Sequence, residues 1–264
     1  MTERKCLHVV AGVLFNEAGE CLLSSRPQGK PYAGYWEFAG GKVEAGETEL
    51  AALRREFAEE LGITVHGARL WLTKIHDYEH ARVYLRFYRI AAGQWSGAPE
   101  GKEGQQWRWQ RAGDYTVEPM LPANSALLKA LAVPQELTGR LKTGFGGENA
   151  QGRYWIAPYP GEAHHSGVWL TAAQLAGLGR MPQAQSVWVL AESAEEMVQT
   201  ADADGWIWRV SGGASAAALA DVLAAGVPQP LIVAASAEDC RRWGRAWLNA
   251  GAHALLADDE TERA

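Results

Sequence analysis

The sequence predicts an α/β protein in two units, on three observations. Apolar stretches of strand length at 7–15, 21–24, 69–74, 82–90 and 106–110 surround one strongly periodic helix over 48–61. Beyond about residue 142, short apolar strands alternate with alanine-rich helices. Between the two regimes lies VPQELTGRLK, residues 133–142, which reads as a connector. The expected organisation is a first domain over 1–133, a linker over 134–142 and a shortened β/α domain of partial-barrel type over 143–264.

Each element has a local reason. The strands at 7–15 and 21–24 are separated by the turn-rich NEAGE. Glycine and proline then interrupt the chain through RPQGKPYAGYWEFAGGKVEAGE. From Thr48 to Leu61 apolar residues Leu50, Leu53, Phe57 and Leu61 recur at helical spacing, with Thr48 placed to cap the start and Gly62 to end the helix at positive φ. A second helix is expected to begin near Asn124 in PANSALLKAL. In the C-terminal half, strands are expected at 154–156, 167–170, 186–190, 206–210, 231–235 and 252–256. The stretches SAEEMVQTA, SAAALADVLAAG and AEDCRRWGRAWLNA supply the helices between them.

Composition narrows the function. Lys plus Arg is 25 and Asp plus Glu is 31, a formal charge of −6, which argues against a nucleic-acid polymer as partner. A small phosphorylated ligand stays open, because a cation can supply positive charge locally. The three cysteines, Cys6, Cys21 and Cys240, have neither CxxC spacing nor close pairing, so a zinc site or a disulfide framework is not expected. The N-terminal stretch returns to polar residues too soon for a signal peptide, and no apolar run approaches the roughly 20 residues that span a bilayer. A cytoplasmic, membrane-free protein is the expectation.

The chemistry is concentrated in one run. Gly41 is followed, after five intervening residues, by Glu47, and after seven more come Arg55, Glu56, Phe57, Ala58, Glu59, Glu60, Leu61, Gly62 and Ile63. Glu56, Glu59 and Glu60 stand three and four residues apart, so one helix face carries three carboxylates that repel one another. A hard divalent cation such as Mg2+ or Mn2+ relieves that repulsion. Three glutamates on a helix ordinarily form a solvated face; the fixed residues around these change the reading.

The run resembles the Nudix box, G-x5-E-x7-R-E-U-x-E-E-x-G-U with U apolar, at every fixed polar and glycine position. Phe57 is an unusual but apolar occupant of its U position. The resemblance implies an α/β/α sandwich with a mixed sheet, a hydrolase acting on a nucleoside diphosphate linkage, and Mg2+ (or Mn2+) as cofactor. It implies that Glu56, Glu59 and Glu60 bind metal with the Gly40 carbonyl, and that Glu47 and Arg55 form a salt link steadying loop and helix. Gly41 and Gly62 take structural roles within the box.

Similarity to MutT-type 8-oxo-dGTP diphosphatases extends over roughly 5–131. GAPEGKEGQQWRW resembles their segment with a metal-associated or catalytic glutamate, here Glu103, and LPANSALLKAL the segment whose asparagine reads the oxidised guanine, here Asn124. Arg26 and the Glu37, Phe38, Ala39 and Gly40 stretch are the corresponding substrate-contact candidates. Arg26 can equally be a surface cation, Phe38 a core residue and Asn124 a helix cap. The implied substrate is 8-oxo-dGTP, split to 8-oxo-dGMP and pyrophosphate in sanitation of the nucleotide pool. A different nucleotide, or a silent nucleotide-binding scaffold, is the alternative. The sequence departs from the subgroup at Ala39, where proline commonly precedes the glycine pair, and around His80, which reads as a surface residue.

From about Gly139 onward the chain resembles the TenI/thiamine-phosphate-synthase-like domain, in shortened or degenerate form. A full (β/α)8 barrel takes about 250 residues. His164 and His165 have no metal-ligand spacing, Gly212–Gly213 reads as a loop, and Trp188, Trp206, Trp208, Trp243 and Trp247 suit packing or a partner surface. A homodimer or other partner held through this region is an expectation.

Overall fold

The computed structural model describes residues 5–77, 81–161 and 166–259, which fall into two compact units, Met1–Leu131 and Ala132–Ala264. His80, His164 and His165 lie outside the described residues.

The N-terminal unit runs through β1 (Lys5–Leu14), β2 (Cys21–Ser25), β3 (Trp36–Glu37), β4 (Gly40–Lys42) and helix α1 (Glu49–Leu61). It continues through β5 (Thr64–Val65), β6 (Arg69–Asp77), β7 (Ala81–Ile90), β8 (Trp95–Ser96), β9 (Trp107–Gln110) and α2 (Ser125–Leu131). The central sheet has the order β4-β1-β7-β6 and is mixed, with β1 parallel to β7 and the other pairs antiparallel. A second sheet, β3-β2-β9, is antiparallel throughout.

Helix α1 forms as its sequence dictates. The Thr48 hydroxyl accepts the Ala51 amide at 3.2 Å, and Gly62 closes the helix at φ 68°. Leu53, Phe57 and Leu61 are fully buried against Val10, Leu14, Leu22 and Ile90. Burial of a side chain such as Phe57 stabilises by about 1.5–3 kcal/mol. The helix comes close to the sheet at Gly12, where a Cβ would lie 2.6 Å from the Phe57 ring. One side of α1 is thereby fixed, which leaves its acidic side to face the loop ahead of it. Tyr88 of β7 bonds Glu49 of α1, so the neighbouring Phe87, pointing the other way, lies on the sheet face turned from α1.

The C-terminal unit is a single sheet of eight strands in sequence order. It starts with β10 (Thr138–Arg140), β11 (Gly144–Asn149) and β12 (Gly152–Pro158), joined as antiparallel hairpins. Five parallel strands follow with helices between them: β13 (Gly167–Thr171), α3 (Ala172–Leu178), β14 (Val187–Ala191), α4 (Ala194–Gln199), β15 (Gly205–Arg209), α5 (Gly213–Ala225), β16 (Leu231–Ala235), α6 (Ala237–Ala250) and β17 (Ala254–Ala257). A parallel bridge between Glu136 and Leu255 brings the two edges together, so the sheet curls into a nearly closed barrel. The hairpins explain how eight strands fit into so short a chain: they turn without crossover helices. Phe145, Ile156, Trp188, Leu190, Ile207, Ile232, Ala234 and Leu256 fill the interior. Trp188 fits because Gly205 faces it, where a Cβ would stand 2.4 Å from its ring.

The stretch 134–142, expected as a linker, instead carries β10 and buries Leu141 in the barrel core. Its glycine and charged residues hid a strand whose pairing partner, β11, is itself glycine-rich. The tryptophans mostly serve packing: Trp188, Trp206, Trp208 and Trp247 are buried, and Trp243 is 47% exposed. Gly212–Gly213 sits at the start of α5, where the Ser211 amide donates to the Ser215 hydroxyl at 2.8 Å. Among the described residues, no helix is long and apolar enough to cross a membrane.

Candidate active site

The acidic side of α1 meets the glycine loop at β4. Gly40 pairs with Ala11 of β1 at φ 151°, and a Cβ there would stand 2.1 Å from the Val10 carbonyl oxygen. At Gly41 a Cβ would fall 2.1 Å from Glu56 Oε1. The glycine pair therefore admits both the strand pairing and the close approach of a helix carboxylate. Ala39, where a proline would have fixed φ, is buried, and its carbonyl accepts the Gly12 amide at 2.9 Å. The loop is held at this point by sheet pairing.

Arg55 organises the acids. Its Nε and Nη2 donate to the two oxygens of Glu47 at 3.1 and 3.0 Å, and its Nη1 to Glu56 at 2.8 Å and Glu59 at 3.3 Å. A further bond runs from Nη2 to the Lys42 carbonyl at 3.0 Å. The Arg55 bonds, together with the Glu44 amide, hold the Glu47 carboxyl below the usual carboxylate range. The three helix glutamates differ in depth: Glu59 is exposed, and Glu56 and Glu60 are partly covered. Burial, with the negative charges of Glu56 and Glu103 adding to it, pushes Glu60 up to about 7, against the pull of the Gly40 amide, which donates to it at 3.2 Å.

Two further segments close on this edge. The 100–105 loop is stapled to the end of α1: Gln105, 8% exposed, donates to the Glu60 carbonyl at 2.7 Å and accepts the Glu103 amide at 2.8 Å. Glu103 itself pairs with Lys30 at 2.8 Å. The loop after β2 is tied at its base by Arg26, whose Nη1 meets Glu37 at 2.6 Å and whose Nε donates to the Pro31 carbonyl at 2.7 Å. Burial raises the Glu37 carboxyl, and Arg26 opposes the rise. Neither Lys30 nor Gln105 stood out in the sequence, because each works through a partner distant in the chain.

An apolar pair follows β3. Phe38 is 5% exposed and packs edge-on against Phe87 at 6.3 Å. The Trp36 amide donates to Pro119 and the Leu121 amide to Trp36, so β3 draws in the segment that leads to Asn124. Asn124 is 5% exposed, and its side-chain amide nitrogen is buried with no hydrogen-bond partner among the described residues. A buried amide donor left unpaired costs stability unless a ligand completes it.

The donor set suits a divalent cation. Its groups are hard carboxylate oxygens, Glu60 is raised partly by its acidic neighbours, and Gly41 leaves Glu56 room beside the loop. Among the described residues no three His, Cys, Asp or Glu groups already converge as a coordination shell.

One acidic helix and the glycine loop packed against it thus form the candidate site. A match to the NUDIX domain family spans residues 7–131, and the chain belongs to that family: it is a Nudix hydrolase. It is 36% identical to the 8-oxo-dGTP diphosphatase of Haemophilus influenzae over 129 residues, which is 49% of this chain and 93% of that protein. It is 32% identical to the 8-oxo-dGTP diphosphatase of Escherichia coli, over 48% of this chain and 97% of that protein. It is also 32% identical to the CTP pyrophosphohydrolase of Escherichia coli, over 48% of this chain and 91% of that protein.

Proposed function

We propose that the chain hydrolyses 8-oxo-dGTP to 8-oxo-dGMP and pyrophosphate with Mg2+ or Mn2+, and so clears an oxidised precursor from the nucleotide pool. The observation that carries this reading is Asn124, a buried amide with an unpaired donor in the segment that β3 draws in. An amide offers donor and acceptor together, which suits the edge of a modified purine. The names of two of the relatives support the same substrate.

In this account Glu56, Glu59, Glu60, Glu103 and the Gly40 carbonyl are the groups that would hold the cation. A bound divalent cation would supply charge neutralisation for the phosphates and acidify water at neutral pH. Attack of water on the β-phosphorus breaks its bond to the oxygen bridging the α-phosphorus. The water oxygen leaves in pyrophosphate, and the bridging oxygen stays with the nucleoside monophosphate. One of Glu56, Glu59, Glu60 and Glu103 accepts the water proton. Arg55 and Glu47 keep loop and helix in register, while Arg26 and Glu37 hold the substrate loop. Phe38 walls the base, and the Ala39–Gly40 backbone lines its entry.

A second reading, with CTP or dCTP as substrate, is favoured by the similarity to a CTP pyrophosphohydrolase. Pyrophosphate release from 8-oxo-dGTP, dGTP, dCTP and CTP, and AMP release from ADP-ribose, by wild type, E59Q and E60Q with Mg2+ or Mn2+, separate the two. Preference for 8-oxo-dGTP that both variants lose supports the proposal. Preference for a cytidine nucleotide moves the substrate to the second reading.

A further inference from the structure

Lys30 sits in the loop between β2 and β3, which bonds to itself: the Gly34 amide donates to the Arg26 carbonyl at 2.9 Å and the Arg26 amide to the Tyr35 carbonyl at 2.8 Å. Gly29 and Gly34 take positive φ, and so does Tyr32, a conformation that non-glycine residues seldom adopt. The loop is thus a shaped lobe that projects a lysine. Its ammonium reaches Glu103 Oε2 at 2.8 Å, a residue 73 positions away on the loop that Gln105 staples to α1.

Three carboxylates on three segments feel this one charge. Glu103 bonds it directly and raises it, and Glu60 and Glu37 are each partly offset by it against the burial that pushes them up. The side chains of the pair are 46% and 40% exposed, so the contact adds little to stability. Its position is the informative part. Arg26 is tied to Glu37 and Pro31, and Arg55 to Glu47, Glu56 and Glu59. Lys30 too is bonded to a carboxylate that the proposed function assigns to the cation, and it reaches that carboxylate from a separate loop.

We infer that Lys30 is a tethered counter-ion: it holds Glu103 in the cation-free protein, and passes to a phosphate group of the nucleotide once a divalent cation claims the carboxylates. The inference rests on the proposed reading of this edge as a cation and polyphosphate site. It depends on no particular base. Two consequences follow from its charge alone. A tethered cation competes with a free one, so its removal strengthens binding of a divalent cation to the free protein. It also attracts phosphate oxygens, so its removal weakens polyphosphate binding.

The test uses the full chain as wild type, K30M and K30R, with Mn2+ followed by electron paramagnetic resonance and Mg2+-tripolyphosphate by calorimetry. K30M is expected to bind Mn2+ roughly five- to tenfold more tightly and tripolyphosphate weaker by a similar factor. K30R, which keeps the charge, returns both towards wild type. With substrate, K30M raises KM. A merely structural lysine would move neither affinity. Mn2+ and tripolyphosphate affinities that stay within about twofold in K30M overturn the inference, even where wild type prefers 8-oxo-dGTP. The expected shifts in an enzyme that ignores 8-oxo-dGTP would sustain the role of Lys30 and sink the substrate proposal instead.

Discussion

Arg55 and Glu47 meet through two parallel hydrogen bonds, Nε to Oε1 at 3.1 Å and Nη2 to Oε2 at 3.0 Å. This fork geometry joins the loop before α1 to the helix that carries the acids. The same guanidinium reaches Glu56 at 2.8 Å, so it sets where a carboxylate of the acidic side stands. Arg55→Lys keeps the charge and loses the fork. Such a misplacement of the site is expected to cut kcat/KM by about ten- to a hundredfold. Steady-state kinetics beside a circular dichroism melt checks it, with activity falling much further than Tm.

The two loop glycines are expected to fail differently. At Gly40 an added Cβ meets the Val10 carbonyl oxygen at 2.1 Å, a backbone atom that cannot retreat cheaply. Gly40→Ala should cost about 2–3 kcal/mol in urea unfolding. At Gly41 the Cβ meets the Glu56 carboxylate, the far end of a flexible side chain. Gly41→Ala should keep near-wild-type stability and lose Mn2+ affinity. Equal loss of stability in both variants would contradict this assignment.

Glu60 provides a pH signature in the cation-free protein. Its folded pKa, raised by burial to about 7, lies above its ordinary value of 4.5, so folding favours the protonated form. The stability it contributes is complete below the unfolded value and is lost as pH rises through the folded one. The melting temperature in chelator should therefore decline between about pH 4.5 and 7, and Glu60→Gln should flatten that decline. A variant as steep as wild type over the same window would remove Glu60 as the source.

Arg89 carries a buried charge of another kind. It is 6% exposed, its guanidinium lies 4.9 Å from the Phe15 and Trp71 ring centres, and its Nη1 has no hydrogen-bond partner. Burial is the main cause that lowers its pKa, with Arg69 adding to it. Arg89→Met keeps the packing volume and removes the buried charge. It is expected to stabilise the protein by about 1–3 kcal/mol, measured by chemical denaturation. Destabilisation would mean that the stacking outweighs desolvation.

Much of this was legible in the sequence, and the exceptions have physical causes. The helix over 48–61, with its Thr48 and Gly62 caps, was readable because both caps and the apolar stripe are local. The long strands β1, β6 and β7 carry enough alternating residues to declare themselves. Strands β3 and β4 do not, at two and three residues inside a glycine loop. Strand β11 was hidden for a related reason. At Gly146 and Gly147 a Cβ would come within 1.9 and 2.4 Å of neighbouring backbone oxygens, so close packing there excludes the side chains that mark a strand. In the site, the contiguous box could be read directly, while the Lys30–Glu103 pair and the Gln105 staple arise only when distant segments fold together.

The most direct measurement of the central claim is a one-vessel competition between 8-oxo-dGTP and dGTP, with wild type and Asn124→Ala followed by chromatography of the monophosphate products. Wild type is expected to consume 8-oxo-dGTP first, by a factor of at least about ten, and Asn124→Ala to erase most of that preference while still releasing pyrophosphate. Equal consumption of the two by wild type, or an undiminished preference in the variant, would contradict it.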